Sequence, residues 1–157
     1  MPDEDSTTPT TANDPKDDAN ARVVLDFLAA LESFDLAAAE RLLAPGVLYQ
    51  NVPLPPARGR AATLRQLKLM TRHLTAFEVV THDIAANGDT VLTSRTDVLV
   101  RGGFRAEFWV AGTFRVRDGR IVLWRDYFDW TTFALAGLKG LIGLALPGSN
   151  KTRSAHT

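Results

Sequence analysis

Residues 87–129, NGDTVLTSRTDVLVRGGFRAEFWVAGTFRVRDGRIVLWRDYFD, decide the fold. Asn87-Gly88, Gly102-Gly103 and Asp118-Gly119 are hairpin dipeptides, able to adopt the positive φ angles that tight turns between antiparallel strands require. They mark four antiparallel strands, roughly 76–86, 89–101, 104–117 and 120–129. The third alternates most clearly, with Phe104, Ala106, Phe108, Val110, Gly112, Phe114 and Val116 inward and Arg105, Glu107, Thr113, Arg115 and Arg117 outward. Strands this long must twist, and Gly112 is a natural bend point.

The same alternation puts Val122, Trp124, Asp126 and Phe128 in one row of the last strand. A carboxylate between two aromatic rings is expensive to bury unless it is paired. The second strand of the meander offers partners. Its odd residues, Val91, Thr93, Arg95, Asp97 and Leu99, share one face, and Leu92, Ser94, Thr96, Val98 and Val100 share the other. Both faces are partly apolar, so periodicity does not choose the inner one. With the odd set inward, Arg95 and Asp97 stand about 6.5–7 Å apart on one side of the strand, and Asp126 arrives from the strand two places away.

With both carboxylates ionised that trio carries net −1, and one shared proton makes it neutral. Desolvation and repulsion raise one carboxyl pKa while the arginine keeps the other charged. An acid and a base then coexist near neutral pH, the pairing that acid–base catalysis needs. A buried salt bridge that only ties strands together accounts for the same three residues. Tyr49 and Asn51 form another same-face polar pair on the short extended segment VLYQN, and satisfied core polar groups would look the same.

Ahead of the meander the periodicity turns helical. Asp18 to Glu32 places Val23, Val24, Phe27, Leu28 and Leu31 on one face. A second short helix follows the N-cap Asp35 and is ended by Pro45-Gly46. VPLPPARGR reads as a loop, and residues 60–73 as a helix with Leu64, Leu67, Met70 and Leu74 inward. Helices followed by a curved sheet make an α+β arrangement. Residues 1–17 are acidic, polar and without a signal-peptide pattern, and read as a disordered tail. A single domain spans 18–147, and 148–157 form a flexible C-terminal tail. The segment TTFALAGLKGLIGLALP predicts an apolar helix that closes the open end of the sheet. It is short and interrupted by Lys139, so membrane contact or a dimer surface is the lesser expectation.

Composition excludes several chemistries. Among 157 residues, 45% are hydrophobic and 23% charged, the net charge is zero, and there is no cysteine. A nucleic-acid footprint would need a basic stripe. Disulfides, thiolate nucleophiles and thiolate zinc sites are out, and a cytoplasmic location is the expectation. His73, His82 and His156 lack metal-ligand spacing, and no G-x-S-x-G nucleophile elbow exists.

Three segments, LYQNVPLPPARGR (48–60), TSRTDVL (93–99) and LWRDYFD (123–129), resemble the signature segments of the limonene-1,2-epoxide hydrolase family in order and spacing. The resemblance covers about residues 20–135. It implies the SnoaL-like, cystatin-like cone, a strongly curved mixed β-sheet wrapped around N-terminal helices with a deep apolar pocket. It also implies roles. Asp126 would be the general base, acting on a water held by Tyr49 and Asn51. Asp97 would be the general acid toward the epoxide oxygen, and Arg95 would bridge the two carboxylates. Water attacks directly to give a vicinal diol, with no covalent intermediate, metal or cofactor, and the family expectation is a homodimer through the outer sheet face.

Leu67, Met70, Leu74, Leu99, Phe108, Val110, Trp124 and Phe128 are expected pocket walls, although ordinary core packing explains each equally well. The VRGGFR hairpin is tighter than that of the limonene-active prototype, and the apolar helix Phe133–Leu146 is longer. A bulky lipid, sterol or terpenoid epoxide would suit such a pocket. Two other readings share the sequence: a ketosteroid-isomerase-like or SnoaL-like cyclase, and a non-catalytic carrier of an apolar ligand. A cation between two carboxylates argues against the first, and the cost of burying so many polar groups argues against the second.

Overall fold

The computed structural model describes residues 14–132, 134 and 135. Helix α1 (Pro15–Glu32) begins three residues before the expected Asp18, because Asp14 caps it by accepting from the Lys16 backbone N–H and Pro15 occupies the first turn. Val24, Phe27, Leu28 and Leu31 of its inner stripe are buried. Helix α2 (Leu36–Leu42) starts at the expected cap, Asp35, whose carboxylate accepts from Ala38 N. Its end differs from expectation. Strand β1 (Leu43–Val52) runs straight through Pro45-Gly46, and a register shift between Leu43 and Leu48 absorbs the proline. Strand β2 (Ala57–Arg58) and helix α3 (Arg60–Thr71) follow.

The four expected strands of the meander form: β3 (Ala76–Asn87), β4 (Thr90–Arg101), β5 (Phe104–Arg117) and β6 (Arg120–Tyr127), the last ending two residues short of the expected 129, before Phe128. Gly88, Gly102 and Gly119 take the positive φ angles that the hairpins demand. The six strands lie in the order β2-β1-β6-β5-β4-β3, with β1 parallel to β6 and every other pair antiparallel. The sheet is therefore mixed, and it packs around α1 in the α+β cone arrangement.

The core joins Val24, Phe27 and Leu31 of α1 to Leu43, Val47, Val91, Phe114, Val116, Ile121 and Trp124 of the sheet. At the open edge of β3, Val79 N donates to Glu32 Oε1, which covers a backbone group that the sheet leaves unpaired. One expected row is broken. Val116 pairs with Ile121 but Arg115 with Leu123, so Val122 is an extra residue and Ile121 takes its place in the core. Residues 130–132 begin a helix; the expected apolar helix Phe133–Leu146 falls largely outside the described residues, as do the termini. Among the described residues no helix is long and apolar enough to cross a membrane.

Candidate active site

The odd face of β4 points inward. Val91, Thr93, Arg95 and Asp97 are all buried, and Leu99 is half-buried. This settles the ambiguity of the two faces, and the consequence is a charged side chain in the core. Arg95 is 1% exposed and heads, by volume, the fully buried side chains.

Its guanidinium is held on three sides. Nε donates to Asp97 Oδ1 at 2.8 Å and Nη2 to Asp97 Oδ2 at 3.2 Å, a two-point grip within one strand. Nη2 also donates to Asp126 Oδ2 at 2.6 Å, from β6. Nη1 donates to Thr93 Oγ1 at 3.3 Å. Charge-assisted bonds of this kind offset the desolvation that would otherwise forbid the burial. The other Asp126 oxygen, Oδ1, is buried without a hydrogen-bond partner among the described residues.

Tyr49 and Asn51 reach the same chamber because β1 lies parallel beside β6. The register sets Asn51 against Asp126 and Tyr49 against Trp124. Tyr49 stacks on Trp124 with ring centroids 4.0 Å apart, which fixes the phenol. Asn51 Nδ2 donates to the Tyr49 hydroxyl at 2.8 Å, so the hydroxyl is an acceptor there and keeps its own proton to donate.

Titration follows from this enclosure. Burial raises the Asp97 carboxyl to about 6; Arg95 pulls it back, and the charges of Asp126 and Glu32 add to the rise. For Arg95 burial opposes the charge more than any other single influence, yet Asp126 and Asp97 together outweigh it and hold the guanidinium cationic. Burial, then the Asp126 charge, lifts the Tyr49 hydroxyl well above the usual phenol range, so it remains an O–H. The chamber thus offers a carboxyl that protonates near neutrality, a fixed cation and a fixed hydroxyl.

These groups open onto a cavity of about 230 Å³ between α1 and the sheet. Six of the expected walls line it: Met70, Leu99, Phe108, Val110, Trp124 and Phe128. Leu67 and Leu74 do not. Leu67 turns with Thr63 into the core under α3, and Leu74 lies past the end of that helix, packed against the core. Leu28, Leu31, Phe77 and Trp130 line the cavity unforeseen. The first two stand on the apolar face of α1, and a helical stripe alone does not separate core from cavity wall. Trp130 is pinned by donating from Nε1 to Val52 O at 2.8 Å, a contact between distant segments that no local pattern encodes. Thr93, a member of the same odd row of β4, is also part of the site through its contact with Arg95.

Residues 18–138 match the limonene-1,2-epoxide hydrolase catalytic domain. The chain is 42% identical over 126 residues to epoxide hydrolase EphG of Mycobacterium tuberculosis, a match that spans 80% of this chain and 84% of that protein. A solved M. tuberculosis LEH-like epoxide hydrolase is 41% identical, superposes with a TM-score of 0.79, and is matched over 85% of this chain and 100% of its own. A putative SnoaL-like polyketide cyclase from Jannaschia, 14% identical with a TM-score of 0.72 over 80% of this chain and 96% of its own, shares the fold.

Proposed function

Because this chain belongs to the limonene-1,2-epoxide hydrolase family, it is an epoxide hydrolase, and we propose that it adds water to a lipophilic epoxide in one acid- and base-assisted step. The observation that carries this reading is the single guanidinium that grips Asp97 and Asp126 at the wall of an apolar cavity.

An epoxide is strained, but its alkoxide is a poor leaving group, so protonation of the ring oxygen must accompany attack. Asp97 supplies that proton, as its raised pKa suits. Asp126 takes a proton from the attacking water, which Tyr49 and Asn51 orient. The water oxygen bonds to one ring carbon, the carbon–oxygen bond there breaks, and the ring oxygen leaves with the proton of Asp97. The product is a vicinal diol. The cycle closes when one proton returns from Asp126 to Asp97. Arg95 stays charged throughout and holds both carboxylates in place. The apolar walls keep bulk water from competing for these hydrogen bonds. No step requires a metal or a cofactor.

Terpenoid, sterol or lipid-like epoxides suit walls built from Phe108, Phe128, Trp124 and Trp130, with Phe128 packed 5.5 Å from Phe108 and 4.6 Å from Trp130. A homodimer through the outer sheet face is supported by Val80, Leu92 and Trp109, each about half exposed on neighbouring strands. The test is diol formation from a panel of small and bulky epoxides, with enone isomerisation assayed beside it. Turnover of the bulky epoxides, abolished by Asp126→Asn, is expected. Isomerisation without diol would overturn the reaction assigned, and turnover of small epoxides alone would overturn the substrate class.

A further inference from the structure

Gly112 explains how so large a side chain as Arg95 fits. Across the sheet Thr93 pairs with Gly112, and Gly112 with Asp126, so these three residues form one row over β4, β5 and β6. Arg95 stands two residues along β4 from Thr93, opposite Val110, and its guanidinium reaches Thr93 at one end of that row and Asp126 at the other. The middle of the row must therefore be bare. A Cβ at position 112 would lie 2.5 Å from Arg95 Nη1, 2.5 Å from Thr93 Oγ1 and 2.9 Å from Phe114 Cε2. A Cβ carbon does not come so near to other heavy atoms, so at least one of the three neighbours would have to shift. Arg95, Thr93 and Phe114 are all buried, and the space open to Arg95 is the cavity it lines, where a displaced guanidinium would loosen its bonds to Asp97 and Asp126. A glycine within a strand often marks such a close approach, and here the approaching group is the cation of the site itself.

We infer that Gly112 and Thr93 form a seat for Arg95, and that this seat is a determinant of catalysis: Gly112 provides the space and Thr93 Oγ1 fixes the third edge of the guanidinium. Asp97 and Asp126 are both on the far side of the charge from Thr93 in hydrogen-bonding terms, since Nε and Nη2 serve the carboxylates and only Nη1 serves the threonine. Without the seat the guanidinium can rotate about its stem, and its two-point grip on Asp97 and its bond to Asp126 are no longer held together. The charged groups that act on Asp97 and Arg95 are each other, Asp126 from β6 and, for Asp97, Glu32 from the end of α1, while the neutral Tyr49 of β1 faces the same cavity. None of them is Thr93 or Gly112, which act only through the arginine and are positioning residues.

The inference rests on the proposed role of Arg95, and the experiment separates the two. Thr93→Val keeps the shape of the side chain and removes the acceptor; Thr93→Ser keeps the acceptor. For Thr93→Val, kcat for diol formation is expected to fall about five- to tenfold with KM changed less than about twofold, the split produced when alignment rather than binding is lost. The alkaline limb of its pH profile should move upward, because Arg95 restrains the Asp97 pKa and would do so less well. Thr93→Ser should return kcat to within about twofold of the parent. Gly112→Ala should lose more than Thr93→Val, and if it fails to fold, the threonine pair decides alone. Unchanged kcat and pH limb in Thr93→Val, or an equal loss in Thr93→Ser, would overturn the seat. Activity retained by Asp126→Asn would instead overturn the assignment of the site on which the seat depends.

Discussion

Two clusters of charge hold this molecule, and they use the same residue types to opposite ends. At the start of α1, Lys16 binds Asp89 at 2.9 Å, Arg117 binds Asp89 at 3.0 Å, and Asp17 and Asn20 hold the backbone of Gly88. At the cavity, Arg95 binds Asp97 and Asp126 at 2.8 and 2.6 Å. Distances hardly distinguish the two. Exposure does: the Lys16 and Arg117 side chains are 61% and 60% exposed, that of Arg95 1%. In the first cluster water and salt screen every pair, so the pairs direct the docking of α1 onto the β3–β4 turn without contributing much. In the second the side chains are almost wholly buried, and solvent screens them little. Its charges cost desolvation, and what they provide in return is a titration that the surface cannot supply.

The contrast is broken most severely by removing its central cation. Arg95→Met leaves two carboxyls buried without a partner, and a loss of about 3–5 kcal/mol in stability at neutral pH is expected, with activity abolished. Both carboxyls would then gain from protonation, so stability should recover in part as pH falls toward their unfolded values near 4. Chemical denaturation at several pH values checks this; a loss independent of pH would contradict it.

A smaller effect concerns Asp97 alone. Its pKa in the folded chain, about 6, lies above the ordinary aspartate value of 3.8. The native state therefore binds its proton more tightly than the unfolded chain does. That contribution is fully present below the unfolded pKa and is lost as pH rises through the folded one. The wild-type protein should lose on the order of 2–3 kcal/mol from this group across that window. Asp97→Asn, neutral at every pH, should show a flatter stability profile there while losing diol formation about a hundredfold or more. An unchanged slope would show that Asp97 does not titrate as described. The surface cluster should respond least. Lys16→Ala should shift the melting temperature only slightly, and salt should erase the difference. Asn20→Ala should cost more, about 1–2 kcal/mol, because Asn20 is buried and its amide satisfies Gly88 O.

The same contrast separates what the sequence discloses from what it conceals. The hairpin glycines bounded β3 to β6 almost to the residue, since a turn that needs positive φ leaves a local mark. The inward row of β5, from Phe104 to Val116, is half-buried or buried at every position as alternation requires. On β4 alternation could not choose a face, and the structure shows why. Val98, on the outer side, is 2% exposed, on the strand that the Arg105–Glu78 pair spans, with Glu78 opposite Val98 and Arg105 opposite Val100. The bulge at Val122 and the passage of β1 through Pro45-Gly46 were not legible, because each depends on the register of a neighbouring strand. The three charged residues of the site were legible as anomalies in apolar rows. Their convergence was legible only on the condition that the odd face of β4 points inward, which alternation alone could not decide. The reason for Gly112 was not legible, since it lies in a side chain on the strand beside it.

The central claim is that water opens the epoxide directly, with Asp126 as base and no enzyme ester. The most direct measurement is a single turnover of a lipophilic epoxide in isotopically labelled water, with the diol analysed by mass spectrometry. Direct attack predicts the label in the first diol formed. Unlabelled oxygen in that first diol, with label appearing only on the second turnover, would mean that a carboxylate attacked carbon and would contradict the account.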